Sequence, residues 1–99
     1  MSFDLNPKII TEIKKITEKY AISKIVLFGS RARGDNNTKS DIDLAIYTLP
    51  KFTNKGNFAA DIEDLETLLK IDTVFINSDT DEKLIKNIQI EGVVLYERL

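Results

Sequence analysis

Residues 29–43 read GSRARGDNNTKSDID, and a short apolar run stands directly before them. That run, Ile25 to Phe28, is β-branched at its start and has the length of a strand, so it predicts a buried strand. The polar residues 29–40 predict a glycine turn, with room for one helical turn, and then an exposed loop. Residues 41–47, which are apolar from Leu44 onward, predict a second strand. The quoted stretch therefore connects two strands through a turn that contains Gly-Ser and ends on Asp-Ile-Asp.

The residues before this stretch predict one amphipathic helix. Asn6 followed by Pro7 is typical of a helix start, because an asparagine side chain caps the first amides and proline suits the first helical position. Apolar residues follow at spacings of four, three and four, which places them in one stripe along a helix. The residues of this stripe are Ile9, Ile13, Ile16 and Tyr20.

The residues after the second strand predict two further pairs of helix and strand. Residues 49–57 contain proline and glycine and predict a loop, and residues 72–77 and 93–96 predict the two remaining strands. Asp79 and Glu82 have the spacing of a capping box ahead of the last helix. The apolar positions are Phe58, Ile62, Leu65 and Leu69 in the first of these helices, and Leu84, Ile85 and Ile88 in the second, which Gly92 ends.

The predicted elements alternate between helix and strand over most of the chain, and such alternation favours an α/β layered sandwich. With 99 residues and a mass of 11.3 kDa, the sequence predicts a single domain over residues 1–99. A chain of this length builds one modest core and leaves little room for a separate domain that binds a second substrate.

The composition excludes several classes of site. The chain has no cysteine, which excludes disulfides and thiolate metal sites, and no histidine, so any catalysis runs without an imidazole base and any metal is bound by oxygen. The net charge of −2 argues against a broad nucleic-acid-binding surface. The sequence has no apolar run long enough to span a membrane and its N-terminus lacks the pattern of a signal peptide, so we expect a cytoplasmic protein.

Gly29 and Ser30 have the chemistry of a phosphate-binding turn. Glycine lets the backbone turn tightly and lets an anion approach without a Cβ in the way. Successive amides in such a turn can point at an anion, and the serine hydroxyl adds a donor. A Gly-Ser pair by itself indicates only the end of a strand, so its meaning depends on the residues that accompany it.

Three aspartates accompany this turn. Asp41 and Asp43 are two residues apart on a predicted strand, so both carboxylates face the same side of the sheet. Carboxylates this close repel each other unless a cation lies between them, and Mg²⁺ is often bound by one or two carboxylates together with substrate phosphates. Asp72, at the start of another predicted strand, adds a third carboxylate that can take a proton from an attacking hydroxyl. The alternative interpretation of each aspartate is a solvated residue at a strand end.

The segment GSRARGDNNTKSDIDL resembles the signature of the minimal nucleotidyltransferases, the MNT group of the DNA polymerase β-like superfamily. That signature is Gly-Ser, ten residues and Asp-x-Asp, and residues 29–43 fit it without a gap. Arg33-Gly34 is similar to the family's Gly-Ser-x-Ala-Arg-Gly form, and residues 91–99, EGVVLYERL, resemble the closing strand of these small proteins. The resemblance implies the α/β (α+β) nucleotidyltransferase fold, a mixed β-sheet of about four strands with helices packed on it.

The resemblance also implies a reaction and a role for each residue. The reaction is Mg²⁺-dependent transfer of AMP from ATP to a hydroxyl, with release of pyrophosphate. Gly29 and Ser30 would bind the β- and γ-phosphates, and the neighbouring arginines are candidates for further contacts with the triphosphate; these arginines are Arg31 and Arg33. The residues that would bind one or two Mg²⁺ ions and form the catalytic set are Asp41, Asp43 and Asp72.

Proteins similar to this one are typically paired with a small helical HEPN-domain protein in toxin–antitoxin modules. There the MNT protein is the antitoxin, and it transfers AMP to a tyrosine hydroxyl of the HEPN ribonuclease. The resemblance implies this partner and this role. Two alternatives use the same residues: a non-catalytic antitoxin that acts by complex formation alone, and the catalytic subunit of a two-chain small-molecule nucleotidyltransferase.

Overall fold

The computed structural model describes residues 3–65 and 67–98 of the chain. Within these residues, helices and strands alternate from the first element to the last. The elements are α1 (Pro7–Thr17), β1 (Ile22–Phe28), α2 (Ser30–Arg33), β2 (Ile42–Thr48), α3 (Lys55–Glu63), β3 (Ile71–Phe75), α4 (Glu82–Glu91) and β4 (Val93–Glu97). No helix among the described residues combines the length and the apolar character needed to cross a membrane.

The four strands form one mixed sheet in the order β3-β2-β1-β4. Strand β1 is antiparallel to both of its neighbours, β2 and β4, whereas β2 and β3 are parallel. Parallel strands need a long crossover connection, and α3 supplies it between β2 and β3. The predicted fold class, a mixed sheet of about four strands with helices packed on it, is confirmed.

Helices cover both faces of the sheet, and side chains along β1 and β2 alternate between the two faces. Each face therefore has its own layer of buried side chains. On one face, α1 and α3 pack on residues of both strands in the larger part of the core. On the other face, α4 packs through Ile88 on Val26 and Ala45. The fully buried side chains of the larger layer include Ile13, Ile25, Leu27, Leu44, Ile46, Phe58 and Ile62.

An aromatic cluster fixes β3 beside β2. The ring of Phe58, on α3, is fully buried, and its centroid lies 6.2 Å from that of Phe75 on β3 and 5.1 Å from that of Tyr20. Such edge-to-face pairs are favourable arrangements of aromatic rings. Because Phe75 faces this cluster, Asp72, three positions earlier on the same strand, faces the opposite side of the sheet, where α4 packs.

The start of α1 is as predicted, whereas α3 is shifted. The Asn6 side chain accepts a hydrogen bond from the Lys8 amide, with Pro7 at the first helical position. The prediction for α3 is wrong at both ends, because the helix begins at Lys55, inside the predicted loop, and ends at Glu63. Leu65 and Leu69 lie beyond it, yet both pack against the core, so their apolar character reflects burial and not helical structure.

The last helix begins at a different cap from the one predicted. Asp81 is the N-cap, and its side chain accepts from the Lys83 amide, whereas the amide of Asp79 donates to Asn77 in the preceding turn. Gly92 ends the helix as predicted, but with extended backbone (φ −67°, ψ 147°). An added Cβ at Gly92 would contact the Ile88 carbonyl oxygen and lie 2.5 Å from Cγ1 of Val26, so this glycine permits close packing of α4 on β1.

The strands agree with the predictions to within a few residues. The largest difference is at β1, which begins at Ile22 instead of Ile25. The allowance for one helical turn after Gly29 is confirmed by α2. Of the closing motif EGVVLYERL, residues 93–97 form β4, and Leu99 lies outside the described residues.

Candidate active site

The turn between β1 and α2 requires glycine at position 29 for two reasons. Gly29 has φ 78° and ψ −159°, a backbone conformation that side chains with a Cβ rarely adopt. A Cβ added to Gly29 would also lie 2.5 Å from Oδ2 of Asp43, closer than any van der Waals contact allows. The glycine turn and Asp43 are therefore parts of one site, and the prediction that a turn directly follows the buried strand is confirmed.

Two of the three predicted aspartates are brought side by side by the parallel pairing of β2 and β3. Asp43 and Asp72, hereafter the acidic pair, are register partners on these strands, so their side chains leave the same face of the sheet. Ala45, two residues after Asp43, contacts α4, which identifies this face as the one that α4 covers. Asp41 lies just before β2 and is exposed.

The acidic pair carries negative charge that the protein only partly compensates. Burial raises the pKa of the Asp43 carboxyl, and the charges of Asp72 and Asp41 raise it further. Arg33 and Lys70 act in the opposite direction. The Lys70 ammonium lies 3.3 Å from Oδ1 of Asp72, but its side chain is 71% exposed, so this pair contributes little to stability.

The acidic pair fits a magnesium ion that is also bound by a substrate. Among residues 3–65 and 67–98, no three carboxylates converge closely enough to bind a metal ion by themselves. Asp43 and Asp72 instead present two hard oxygen ligands on one face, and Mg²⁺ is commonly bound by one or two carboxylates together with substrate phosphates. The three-ligand set with Asp41 stays a prediction.

Arg33 lies at the edge of this site and forms ion pairs with two acidic side chains. Its Nε donates to Asp35 at 3.0 Å, and its Nη1 donates to both carboxylate oxygens of Glu91 at 3.1 and 3.0 Å. These two partners, Asp35 first, raise the pKa of Arg33. Its charge also lowers the pKa of the Asp43 carboxyl, so Arg33 partly compensates the negative charge of the acidic pair.

Glu91 is a site residue that the sequence does not reveal. It is the last residue of α4, and its Oε1 accepts from the backbone amide of Gly29 at 3.1 Å as well as from Arg33. The end of α4 is thus tied to the glycine turn. The only sequence signal is its position directly before Gly92 in the closing motif, and that motif indicates a helix end and a strand, not a contact with residue 29.

The prediction that Arg31 contacts the triphosphate requires a correction, because the structure gives this side chain a different role. Its side chain is buried, and its three nitrogens donate to backbone carbonyl oxygens at 3.0–3.3 Å. Residues two apart on a helix face in different directions, so Arg31 points away from Arg33. The carbonyls that accept from Arg31 belong to Ser40, Asp4 and Thr38, and they bind the loop after α2 to the N-terminal segment.

Ser30 follows Gly29 directly and is the first residue of α2. Its carbonyl oxygen accepts from the amides of Gly34 and Asp35 at 2.8 and 3.1 Å, which closes the single helical turn. The predicted role of its hydroxyl as a phosphate donor stays a prediction. The structure therefore brings Gly29, Ser30, Arg33, Asp43 and Asp72 to one region and directs Arg31 elsewhere.

One family model and several known proteins match this chain. The family model described as "Polymerase beta, Nucleotidyltransferase" matches residues 11–99. The chain is 32% identical over 81 residues to "Putative protein adenylyltransferase MJ0126" of Methanocaldococcus jannaschii, a match that covers 73% of this chain and 83% of that protein.

Solved structures share the fold at lower identity. A toxin–antitoxin crystal structure with AMP-PNP superimposes with a TM-score of 0.71 at 23% identity, covering 90% of this chain and 73% of that one. A chain of the complex between tri-AMPylated Shewanella oneidensis HEPN toxin and MNT antitoxin gives a TM-score of 0.66 at 21% identity, covering 92% of this chain and 71% of that one. The family model spans the glycine turn, the acidic pair and the closing strand, and the resemblance predicted from residues 29–43 is confirmed: the chain belongs to the polymerase β-type nucleotidyltransferase family.

Proposed function

We propose that this chain is a Mg²⁺-dependent protein adenylyltransferase that acts in the cytoplasm as the antitoxin of a small helical HEPN-domain toxin, transferring AMP from ATP to a tyrosine hydroxyl of that partner. The observation that carries the proposal is the side-by-side position of Asp43 and Asp72 on the sheet face next to Gly29. The names of the similar proteins support it, since they include a protein adenylyltransferase and a HEPN toxin that carries AMP groups beside an MNT antitoxin.

The residues of the glycine turn bind the triphosphate in this proposal. The Gly29 amide and the Ser30 hydroxyl donate to phosphate oxygens. The absence of a Cβ at position 29 lets the Asp43 carboxylate lie close to this turn. Arg33 adds a charged donor that can contact two oxygens at once. Asp43 and Asp72, with Asp41 nearby, hold Mg²⁺, which neutralises phosphate charge when it is bound.

The transfer itself requires a base and a leaving group. The acceptor hydroxyl gives its proton to Asp72, its oxygen forms a bond to the α-phosphorus, and the bond from that phosphorus to the bridging oxygen of pyrophosphate breaks. A carboxylate takes this role because the chain has no histidine. The remaining contribution of the protein is positioning and charge neutralisation, as in phosphoryl transfer generally.

A transfer assay with the HEPN partner tests the proposal. The chain is incubated with Mg²⁺, the partner and ATP labelled at the α-phosphate; label should appear on the partner, and ATP labelled at the γ-phosphate should give none. Asp43→Asn and Asp72→Asn should abolish transfer, whereas Asp79→Asn, in an exposed turn, should not. A stable complex without label would establish the contact-only antitoxin instead, and label only on a small acceptor would establish the two-chain enzyme.

A further inference from the structure

The carboxylate of Glu91 occupies the donors that the proposed function assigns to phosphate. It accepts from the Gly29 amide at 3.1 Å and from Arg33 Nη1 at 3.1 and 3.0 Å. Carboxylate and phosphate oxygens are both anionic acceptors, and the Gly29 amide has one hydrogen to donate. A phosphate that accepts from this amide must therefore displace Glu91 from it.

The backbone of Glu91 is held in place, so only its side chain is free to move. Ile88, one turn earlier, is buried against Val26 and Ala45, and Gly92 packs so closely on Val26 that a Cβ would clash. The Glu91 side chain itself is 18% exposed, which leaves a path to solvent. Displacement is thus a rotamer change of one side chain at the end of a fixed helix.

We infer that Glu91 is an internal competitor for the phosphate-binding turn. Without nucleotide it satisfies the Gly29 amide and Arg33, and a triphosphate has to displace its carboxylate in order to bind; this inference rests on the proposed function of the turn. Glu91 therefore weakens binding of every phosphate at Gly29. The same displacement cost applies to every anion that binds at Gly29, pyrophosphate included, so Glu91 also aids the departure of pyrophosphate.

A different role for Glu91 makes the opposite prediction. If the carboxylate only holds Arg33 and the glycine turn in their binding conformation, its removal weakens triphosphate binding. Glu91→Gln distinguishes the two roles, because glutamine has nearly the same shape and an oxygen that still accepts from the Gly29 amide, but no charge. Glu97→Gln is the matched control: it makes the same change in net charge on β4, where Glu97 pairs with Lys24, at the end of β1 that is far from Gly29.

Calorimetry with two probes, inorganic tripolyphosphate and ATP, each in the presence of Mg²⁺, measures the effect. For tripolyphosphate we expect Glu91→Gln to lower the Kd about tenfold, equivalent to about 1.4 kcal/mol, and Glu97→Gln to leave it near the parent value. An equal or weaker affinity of Glu91→Gln, while the parent binds ATP with Mg²⁺, would overturn the inference and leave the proposed function standing. A parent that binds neither probe would overturn both.

A second measurement needs no substitution and so does not depend on how the variant folds. In NMR spectra of the parent chain, tripolyphosphate should shift the Gly29 amide and the Glu91 carboxyl carbon together, because one anion replaces the other on the same donor. The Glu97 carboxyl carbon serves as the internal reference. A Gly29 amide that shifts while the Glu91 carboxyl stays unchanged would rule out displacement.

Discussion

At the scale of single residues, substitution by alanine should have opposite effects on stability at two glycines of this chain. Gly29 has φ 78° and an added Cβ would lie 2.5 Å from Oδ2 of Asp43, whereas Gly56, in α3, has nothing within 4 Å of an added Cβ. Gly29→Ala should lower the free energy of unfolding by about 1–3 kcal/mol, because it forces an unfavourable backbone conformation and displaces Asp43. Gly56→Ala should raise that free energy by about 0.4–1 kcal/mol by restricting the unfolded chain.

Urea denaturation of the parent and both variants checks this pair of predictions, and the transfer assay adds a second readout. Gly29→Ala should lose transfer activity because the added methyl group displaces the Asp43 carboxylate, and Gly56→Ala should retain it. Parent-like stability together with full activity in Gly29→Ala would show that the turn does not need glycine.

The charge of Asp43 is predicted to oppose folding and to support catalysis. Burial and the neighbouring aspartates raise its pKa, so the folded state binds a proton at Asp43 more readily than the unfolded chain does. Ionised Asp43 therefore destabilises the metal-free fold above its raised pKa, and this penalty disappears as the pH falls through that value. Asp43→Asn should leave the metal-free domain as stable as the parent or slightly more stable at neutral pH, and the difference should shrink on acidification.

Thermal melts in EDTA over a range of pH measure this difference, with Asp79→Asn as the control for a general change in charge. The same Asp43→Asn preparation should be inactive in AMP transfer, because it lacks a metal ligand. A marked loss of stability with activity retained would instead make Asp43 a structural residue.

At the scale of elements, the single turn of α2 separates two arginines with different tasks. The buried guanidinium of Arg31 donates to three backbone carbonyls, whereas Arg33 is exposed at the rim of the acidic site. Arg31→Met should cost about 3 kcal/mol of unfolding free energy or more, since hydrogen bonds to charged groups contribute about 1.5–3 kcal/mol each and the carbonyls would lose their donors. Arg33→Met should change stability little but should weaken ATP binding in Mg²⁺.

Denaturation curves and ATP calorimetry on the two variants test this division. A stable Arg31→Met variant that binds ATP poorly would restore the role expected from the sequence. The two variants, Arg31→Met and Arg33→Met, also separate a folding defect from a binding defect within α2.

Local signals in the sequence predict the order of the elements and the glycine turn. They also predict that Asp43 lies on the strand after that turn. A polar stretch that begins with Gly-Ser and ends with Asp-Ile-Asp is confined to residues 29–43, and apolar periodicity indicates most helices. Contacts between distant residues leave no such signal. The hydrogen bond from Gly29 to Glu91 joins residues 62 apart, and the burial of Arg31 depends on the N-terminal segment. The predicted end of α3 is wrong because Leu65 and Leu69 pack against the core, partly buried, without being helical.

At the scale of the whole molecule, we predict that nucleotide and metal bind together and that their binding stabilises the folded state. The chain has a net charge of −2, and its proposed site adds carboxylates to the charge of the triphosphate. ATP should therefore bind well only with Mg²⁺ or Mn²⁺. A ligand that binds the folded state alone stabilises it by about 2.7 kcal/mol at a concentration of a hundred times its Kd.

For a chain of 99 residues, that stabilisation corresponds to a rise in Tm of roughly 10–20 °C. Melts of the parent should show the rise with ATP and Mg²⁺ together and little change with ATP in EDTA or with Mg²⁺ alone. In Asp43→Asn the combined rise should collapse, because the pair with Asp72 is broken, whereas Glu97→Gln should keep it. An equal rise with ATP in EDTA would mean that the nucleotide binds through the glycine turn and Arg33 without the acidic pair, and the metal site at Asp43 and Asp72 would be wrong.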